Sequence, residues 1–193
     1  MEMLAETVKC FLSLFVIMGP FASIPVFISV TKKMGDKNTA RVALEAVSIA
    51  ALLLYVFLFL GSFILQIFGI TFNSLRVAGG IVLSILGVEL VLGLSLSGKR
   101  YSYSPPIVLI GTPLLTGPGV IVTTMLFVQM YGYLVTVVAA AAALFLSWII
   151  LWLSSLISKI LGSDGVEILS RVTGILLVAV AVEFVIEGLK AMV

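Results

Sequence analysis

The stretch MGPFASIPVFISV, residues 18–30, places Pro20 and Pro25 inside a long segment that is otherwise almost wholly apolar. A proline inside a helix removes one hydrogen-bond donor and clashes with the carbonyl group four residues earlier. The two prolines therefore predict a helix break that leaves the carbonyl groups of Val16 and Phe21 without their usual donors. Such groups are costly in lipid unless protein or a water-filled cavity covers them.

The composition of the chain indicates an integral membrane protein. Of its 193 residues 62% are hydrophobic and 10% are charged, and the mean hydropathy is +1.32, whereas a soluble domain needs far more polar surface. We predict an all-α fold in a lipid bilayer, a single transmembrane domain over residues 1–193. Its six predicted spans cover residues 5–31, 42–69, 74–95, 105–130, 132–158 and 170–190.

Several function classes are excluded by residues that the sequence lacks. There is no histidine, so a Ser–His mechanism is excluded, and Cys10 is the only cysteine, so neither an intrachain disulfide nor a Cys/His metal site can form. The only aspartates, Asp36 and Asp164, lie in predicted joints, which argues against an intramembrane aspartyl pair. The basic residues are scattered, unlike a nucleic-acid footprint. We expect no enzyme activity, no cofactor and no metal.

The basic residues predict how the chain is oriented in the cytoplasmic membrane. The joints after the first, third and fifth spans carry eight of the eleven: Lys32, Lys33, Lys37, Arg41, Lys99, Arg100, Lys159 and Arg171. The opposite side carries Lys9, Arg76 and Lys190. Because basic residues concentrate in cytoplasmic loops, we predict that the odd-numbered joints are cytoplasmic and that both termini lie outside.

The proline pattern of the first span recurs in the fourth span. Pro20 and Pro25 are followed 93 residues later by Pro113 and Pro118, with the same separation. A single proline in a membrane helix often produces only a kink. Two matched pairs in corresponding spans favour functional breaks near the membrane centre in both helices.

A second similarity extends the repeat. RVAGGIVLSILGVELVLGL, residues 76–94, resembles RVTGILLVAVAVEFVIEGL, residues 171–189, at a shift of 95. We therefore predict two three-helix repeats, at about residues 1–97 and 103–193. Three spans reverse the direction of the chain, so the repeats are inverted relative to each other, an arrangement typical of secondary transporters.

The two predicted breaks form a candidate substrate site. Exposed carbonyl groups suit an ammonium group, and N–H groups where the helix restarts, near Val26 or residues 119–121, suit a carboxylate. Two facing breaks could hold a zwitterion without a buried charged side chain. We expect residues 19–25 and 112–119 to be non-helical. The candidate substrate-binding residues are Gly19, Pro20, Ala22, Ser23, Pro25, Thr112, Pro113, Thr116, Gly117, Pro118 and Gly119.

Small residues also suit close helix packing, the role that we expect for Gly80, Ser84 and Gly87 in the third span.

Two intramembrane carboxylates, Glu89 and Glu183, are candidates for proton coupling. The alternative for both is interfacial snorkelling or pairing near a helix end.

MGPFASIPVF (residues 18–27), TPLLTGPGVI (residues 112–121) and the R-V-x-G segments of the third and sixth spans resemble the MarC family, also called the SnatA family. The resemblance covers essentially the whole chain. It implies six spans and transport of small neutral amino acids such as glycine and alanine, coupled to the proton gradient. An exporter of amino acids or metabolites and an oligomeric channel for small solutes remain alternatives, and the sequence does not determine the oligomeric state.

Overall fold

The computed structural model describes residues 2–33, 39–93 and 115–192. These residues form helices joined by turns, without a strand, as predicted. Residues 94–114, and with them Thr112 and Pro113, lie outside the described residues. In chain order the helices are α1 (Glu2–Met18), α2 (Pro20–Lys33), α3 (Thr39–Phe68), α4 (Phe72–Leu92), α5 (Pro118–Trp152) and α6 (Ser154–Lys190).

Five apolar stretches among the described residues are long enough to cross a membrane. They are Met3–Ile28, Thr39–Phe68, Phe72–Leu92, Pro118–Trp152 and Asp164–Lys190. The first contains the junction of α1 and α2. The fourth is 35 residues long, far more than the roughly 20 residues that one span requires. Contacts with α3 show how this fourth stretch is arranged.

The first part of α5 runs parallel to α3. Thr116, just before α5, donates a hydrogen bond of 3.0 Å from its hydroxyl to the carbonyl oxygen of Ala50. Further along both helices, Gly61 packs against the side chain of Met125. The two helices therefore run in the same direction over this region.

The second part of α5 runs antiparallel to α3. The Tyr55 hydroxyl donates a hydrogen bond of 3.2 Å to the carbonyl oxygen of Val137, and the Phe59 and Tyr133 rings stack at 6.0 Å. The chain therefore reverses between the two parts, at Gly132, whose φ of 81° and ψ of 170° interrupt the helix. Residues 118–131 form the second half of the predicted fourth span, and residues 133–152 form most of the predicted fifth span, which ends six residues earlier than the predicted residue 158.

A second glycine divides α6. Gly162 has φ 72° and ψ 178°, and it separates a short helix over residues 154–161 from a long one over residues 163–190. The sixth helix thus begins before the predicted position, residue 170. The charges that suggested a joint are compatible with a helix, because Glu167 and Arg171 pair four residues apart on its surface.

The α4 and α6 helices pack with their backbones in close contact. A Cβ atom on Gly80 would lie 2.6 Å from the carbonyl oxygen of Ala181, and one on Gly87 would lie 2.9 Å from that of Gly174. The close packing predicted for Gly80 and Gly87 is therefore confirmed. Small residues permit this approach, which is common between membrane helices.

The ends of α4 and α6 show that the two helices are antiparallel. Near the start of α4, Arg76 forms an ion pair of 3.2 Å with Glu187, whereas Gly93, just after α4, lies beside Arg171. An inverted repeat requires this antiparallel arrangement of the third and sixth spans, but the repeat itself stays a prediction. Which end of the molecule faces the cytoplasm also stays a prediction.

Candidate functional site

The first helix break is confined to one residue. Gly19 has a φ of 52°, in the left-handed region that favours glycine, and it separates α1 from α2. Pro20 begins α2, where its missing N–H group costs nothing because the first N–H groups of a helix lack intrahelical partners. The Gly19 N–H donates to the carbonyl oxygen of Val16 at 3.1 Å. The prediction that Pro20 leaves the Val16 carbonyl group unpaired was therefore wrong.

The break is also shorter than predicted. Residues 20–25 are helical, although they were expected to be non-helical, and Pro25 lies inside α2. Its ring faces outward, and the helix continues past it. Val26 is consequently an interior residue of α2 and does not mark a helix restart, as the sequence had suggested.

The second break precedes α5. Residues 115–117 are non-helical, and Pro118 is the first helical residue after the cap Gly117, which has no side-chain capping bond. The N–H groups of Val120 and Ile121 donate to the carbonyl oxygen of Gly117 at 3.0 and 3.2 Å. Among the predicted donors over residues 119–121, only the Gly119 N–H forms no backbone hydrogen bond with another described residue.

The two breaks lie side by side. Gly119, two residues beyond the second break, faces Ile17, two residues before the first. A Cβ atom placed on Gly119 would lie 3.6 Å from Ile17 Cγ2 and 2.2 Å from Leu83 Cδ2. Gly19 and Gly117 are therefore brought to a similar depth. Residues 17–23 and 115–120 together form the junction of the two breaks, and α4 packs against this junction through Leu83.

The predicted hydroxyl donors at the breaks already have acceptors. Ser23 is 1% exposed and donates to the carbonyl oxygen of Gly19 at 3.3 Å. Thr116 is 3% exposed and donates to Ala50 in α3. A bound solute that accepted either proton would have to displace one of these bonds. Thr116 thus fixes the position of the second break relative to α3.

The candidate residues differ in how they face the junction. Ala22 is half-buried, and the rings of Pro25 and Pro118 are exposed. Six candidates are buried at or beside the two breaks: Gly19, Pro20, Ser23, Thr116, Gly117 and Gly119.

The two breaks are not at equivalent positions. The shift of 93 matches Pro118 with Pro25, but the chain is broken before Pro118 and helical before Pro25. The break before Pro20 corresponds to residues 112–113, outside the described residues. The described parts of the two breaks thus differ in conformation.

The two candidate carboxylates lie near opposite ends of the molecule. Glu89 is half-buried on α4, and its backbone carbonyl accepts the N–H of the cap residue Gly93. Glu183 is exposed on the outer surface of α6, two turns before the end of that helix. Neither is at the breaks. Within the described ranges, no group of three or more His, Cys, Asp or Glu residues is arranged to hold a metal ion.

Two polar residues near the breaks were missed by the sequence reasoning. Ser147, on the second part of α5, is fully buried, and its Oγ lies 3.9 Å from the Sδ atom of Met18, next to the first break. Thr123, one turn beyond Gly119, is also fully buried. A signal for Ser147 was available in the regular spacing of small residues along the fifth span.

Comparison with known proteins places the chain in a family of membrane proteins. The family described as "MarC family integral membrane protein" matches residues 4–193. A "UPF0056 membrane protein" of Aquifex aeolicus is 36% identical, covering 95% of this chain and 92% of its own. The "UPF0056 inner membrane protein YhgN" of Escherichia coli K12 is 32% identical over 96% of each chain. An Archaeoglobus fulgidus relative, also named "UPF0056 membrane protein", is 32% identical, covering 93% of this chain and 90% of its own. No solved structure matches the chain.

Proposed function

Because the chain belongs to the MarC family of integral membrane proteins, we propose that it is a secondary transporter of small neutral amino acids in the cytoplasmic membrane. The observation that carries the proposal is the adjacency of the two helix breaks, since Gly119 faces Ile17. Broken helices that meet inside a membrane are a recurrent way to build a substrate site in transporters.

The chemistry of the junction supports a solute without net charge. Neither residues 17–23 nor residues 115–120 include a charged side chain. An ion with net charge would need a counter-charge there, because burying an unpaired charge is very costly. A zwitterion can instead pair its carboxylate with N–H groups at the start of a helix and its ammonium group with carbonyl oxygens.

The small residues at the junction favour a small solute. Gly19, Gly117 and Gly119 are buried, and the neighbouring space at Gly119 is filled by Leu83. Glycine and alanine suit such a site better than a large amino acid does. A large solute would require several helices to separate.

The proposal is tested by uptake of labelled glycine and alanine into liposomes that contain the purified full-length protein. We expect saturable uptake of both, accumulation driven by an imposed pH gradient, and competition by unlabelled small neutral amino acids but not by lysine or glutamate. Protein-free liposomes are the control. Uptake equal to that control would contradict the proposal, and rapid, non-saturable flux would favour the channel alternative.

We propose Glu89 rather than Glu183 as the residue that couples transport to protons. Glu89 lies six residues beyond Leu83 on α4, about 9 Å along the helix axis, whereas Glu183 faces outward. A carboxylate within a membrane-spanning segment is a candidate proton carrier. Glu89→Gln is expected to remove accumulation driven by a pH gradient while leaving counterflow exchange in place, and Glu183→Gln is expected to retain both. Full pH-driven accumulation by Glu89→Gln would refute this assignment.

A further inference from the structure

One buried hydroxyl group near the second break makes no hydrogen bond with any residue that the structure describes. Most buried hydroxyl groups on the helices donate to the carbonyl oxygen four residues earlier, as do those of Ser23, Thr31, Thr124, Thr136, Ser147 and Thr173. Thr123 is 0% exposed, yet its Oγ1 makes no hydrogen bond within the described part of the chain. Leaving a buried hydroxyl unpaired costs free energy, and the ordinary bond to a helix carbonyl was available to it.

Thr123 is placed to act together with the start of α5. It lies four residues after Gly119, so both residues share one face of the helix. The Cα–Cβ bond of a helical residue tilts toward the N-terminus, which directs the Thr123 side chain back toward Gly119. The Gly119 N–H also forms no backbone bond with another described residue. Among the described residues, the start of α5 thus has a backbone donor directed along the helix axis and, one turn later, a buried hydroxyl, both without a hydrogen-bond partner.

The carboxylate is the group of an amino acid that accepts a hydrogen bond from a hydroxyl. The positive end of the helix dipole also favours a negative group at this position.

Resting on the transport function proposed above, we propose that the Thr123 hydroxyl donates a hydrogen bond to the carboxylate of the bound amino acid. In the present conformation Leu83 fills the space beside Gly119. Binding therefore requires the Leu83 side chain to move, and the Thr123 hydroxyl acquires its partner when the solute is seated.

Neighbouring threonines provide a matched comparison. Thr123 and Thr124 are both fully buried, but Thr124 donates to the carbonyl oxygen of Val120 at 2.7 Å. Each is replaced with valine, which keeps the shape and removes the hydroxyl, and Thr123→Ser keeps the hydroxyl and removes the methyl group. The affinities of the full-length variants for glycine and for alanine are measured by calorimetry, and their unfolding temperatures are measured without solute.

Thr123→Val is expected to bind both amino acids at least about tenfold more weakly, the effect of losing one hydrogen bond to a charged carboxylate. Its unfolding temperature is expected to equal or exceed that of the unchanged protein, because no internal bond is lost. Thr124→Val and Thr123→Ser are expected to bind within about twofold of the unchanged protein, a difference too small to represent a lost hydrogen bond.

Several results would overturn the inference. Unchanged affinity in Thr123→Val would refute the proposed contact with the carboxylate without affecting the transport proposal. If the protein without substitutions binds neither glycine nor alanine, both the contact and the transport proposal are wrong. Equal weakening in Thr123→Val and Thr124→Val, or in Thr123→Val and Thr123→Ser, would indicate a general packing effect. Weakening for alanine alone would place the hydroxyl against the side chain of the solute. Failure of Thr123→Val to fold would make the hydroxyl structural.

Discussion

Uptake of glycine and alanine is expected to fall by at least about tenfold when Gly119 is replaced with alanine, and to be abolished when it is replaced with leucine. An added Cβ atom would lie 2.2 Å from Leu83 Cδ2, so one of the two side chains has to shift. Overpacking of this kind typically costs about 1–3 kcal/mol.

A double variant tests whether Gly119→Ala impairs transport by filling the space beside Leu83. Leu83→Ala removes the atoms that the new Cβ would meet, so the double variant Leu83→Ala, Gly119→Ala is expected to transport better than Gly119→Ala alone. Rates are measured in liposomes and divided by the amount of folded protein in the membrane. Additive losses in the double variant, or unimpaired uptake by Gly119→Ala, would show that Gly119 does not have to be small for transport.

Gly80→Ala is expected to destabilise the protein by several times more than Gly61→Ala. The clash distances are similar: an added Cβ atom would lie 2.6 Å from the Ala181 carbonyl oxygen in the first case and 2.5 Å from Met125 Cγ in the second. A backbone carbonyl in a packed helix cannot move by itself, whereas a methionine side chain is flexible and can adopt another rotamer. We expect a loss of about 1–3 kcal/mol for Gly80→Ala and less than about 1 kcal/mol for Gly61→Ala.

The measurement is the unfolding temperature of each purified variant in the same detergent. Ile85→Ala, on the exposed side of α4, controls for a change of side chain that faces lipid. Equal shifts for Gly80→Ala and Gly61→Ala would mean that α4 and α6 separate without difficulty. The backbone contact would then contribute little to stability.

The positions of the helix breaks could be predicted from the sequence, but their extent could not. Gly19–Pro20 and Gly117–Pro118 are recognisable because a residue before a proline is disfavoured in helical geometry. Whether a proline interrupts a helix or begins one depends on the backbone immediately before it. Gly19 takes the whole change of direction, so Pro20 starts a regular helix and Pro25 disturbs only one bond.

The spans and their close packing were predictable, and the long-range polar contacts were not. Long apolar segments and short joints predicted the reversal near Gly132, and small residues predicted the approach of α4 to α6 through Gly80. The bond from Thr116 to Ala50 joins residues 66 positions apart. Such a partner is decided by how helices lie against one another, which hydrophobic periodicity does not specify.

The contact of α4 with α6 has a mechanical consequence. Where two helix backbones are in contact, sliding or tilting one helix against the other brings backbone atoms into steric clash. The two helices therefore resist shear and move together. Elsewhere α6 has little contact with α1 or α5, and those surfaces meet through side chains, which can change rotamer. The α4–α6 pair also packs on α5 through Val122 and on α2 through Ile24, again by side chains, so its boundary with the rest of the molecule is more compliant than the contact inside the pair. The Leu83 side chain, carried by the stiff pair and seated beside Gly119, lies on that boundary.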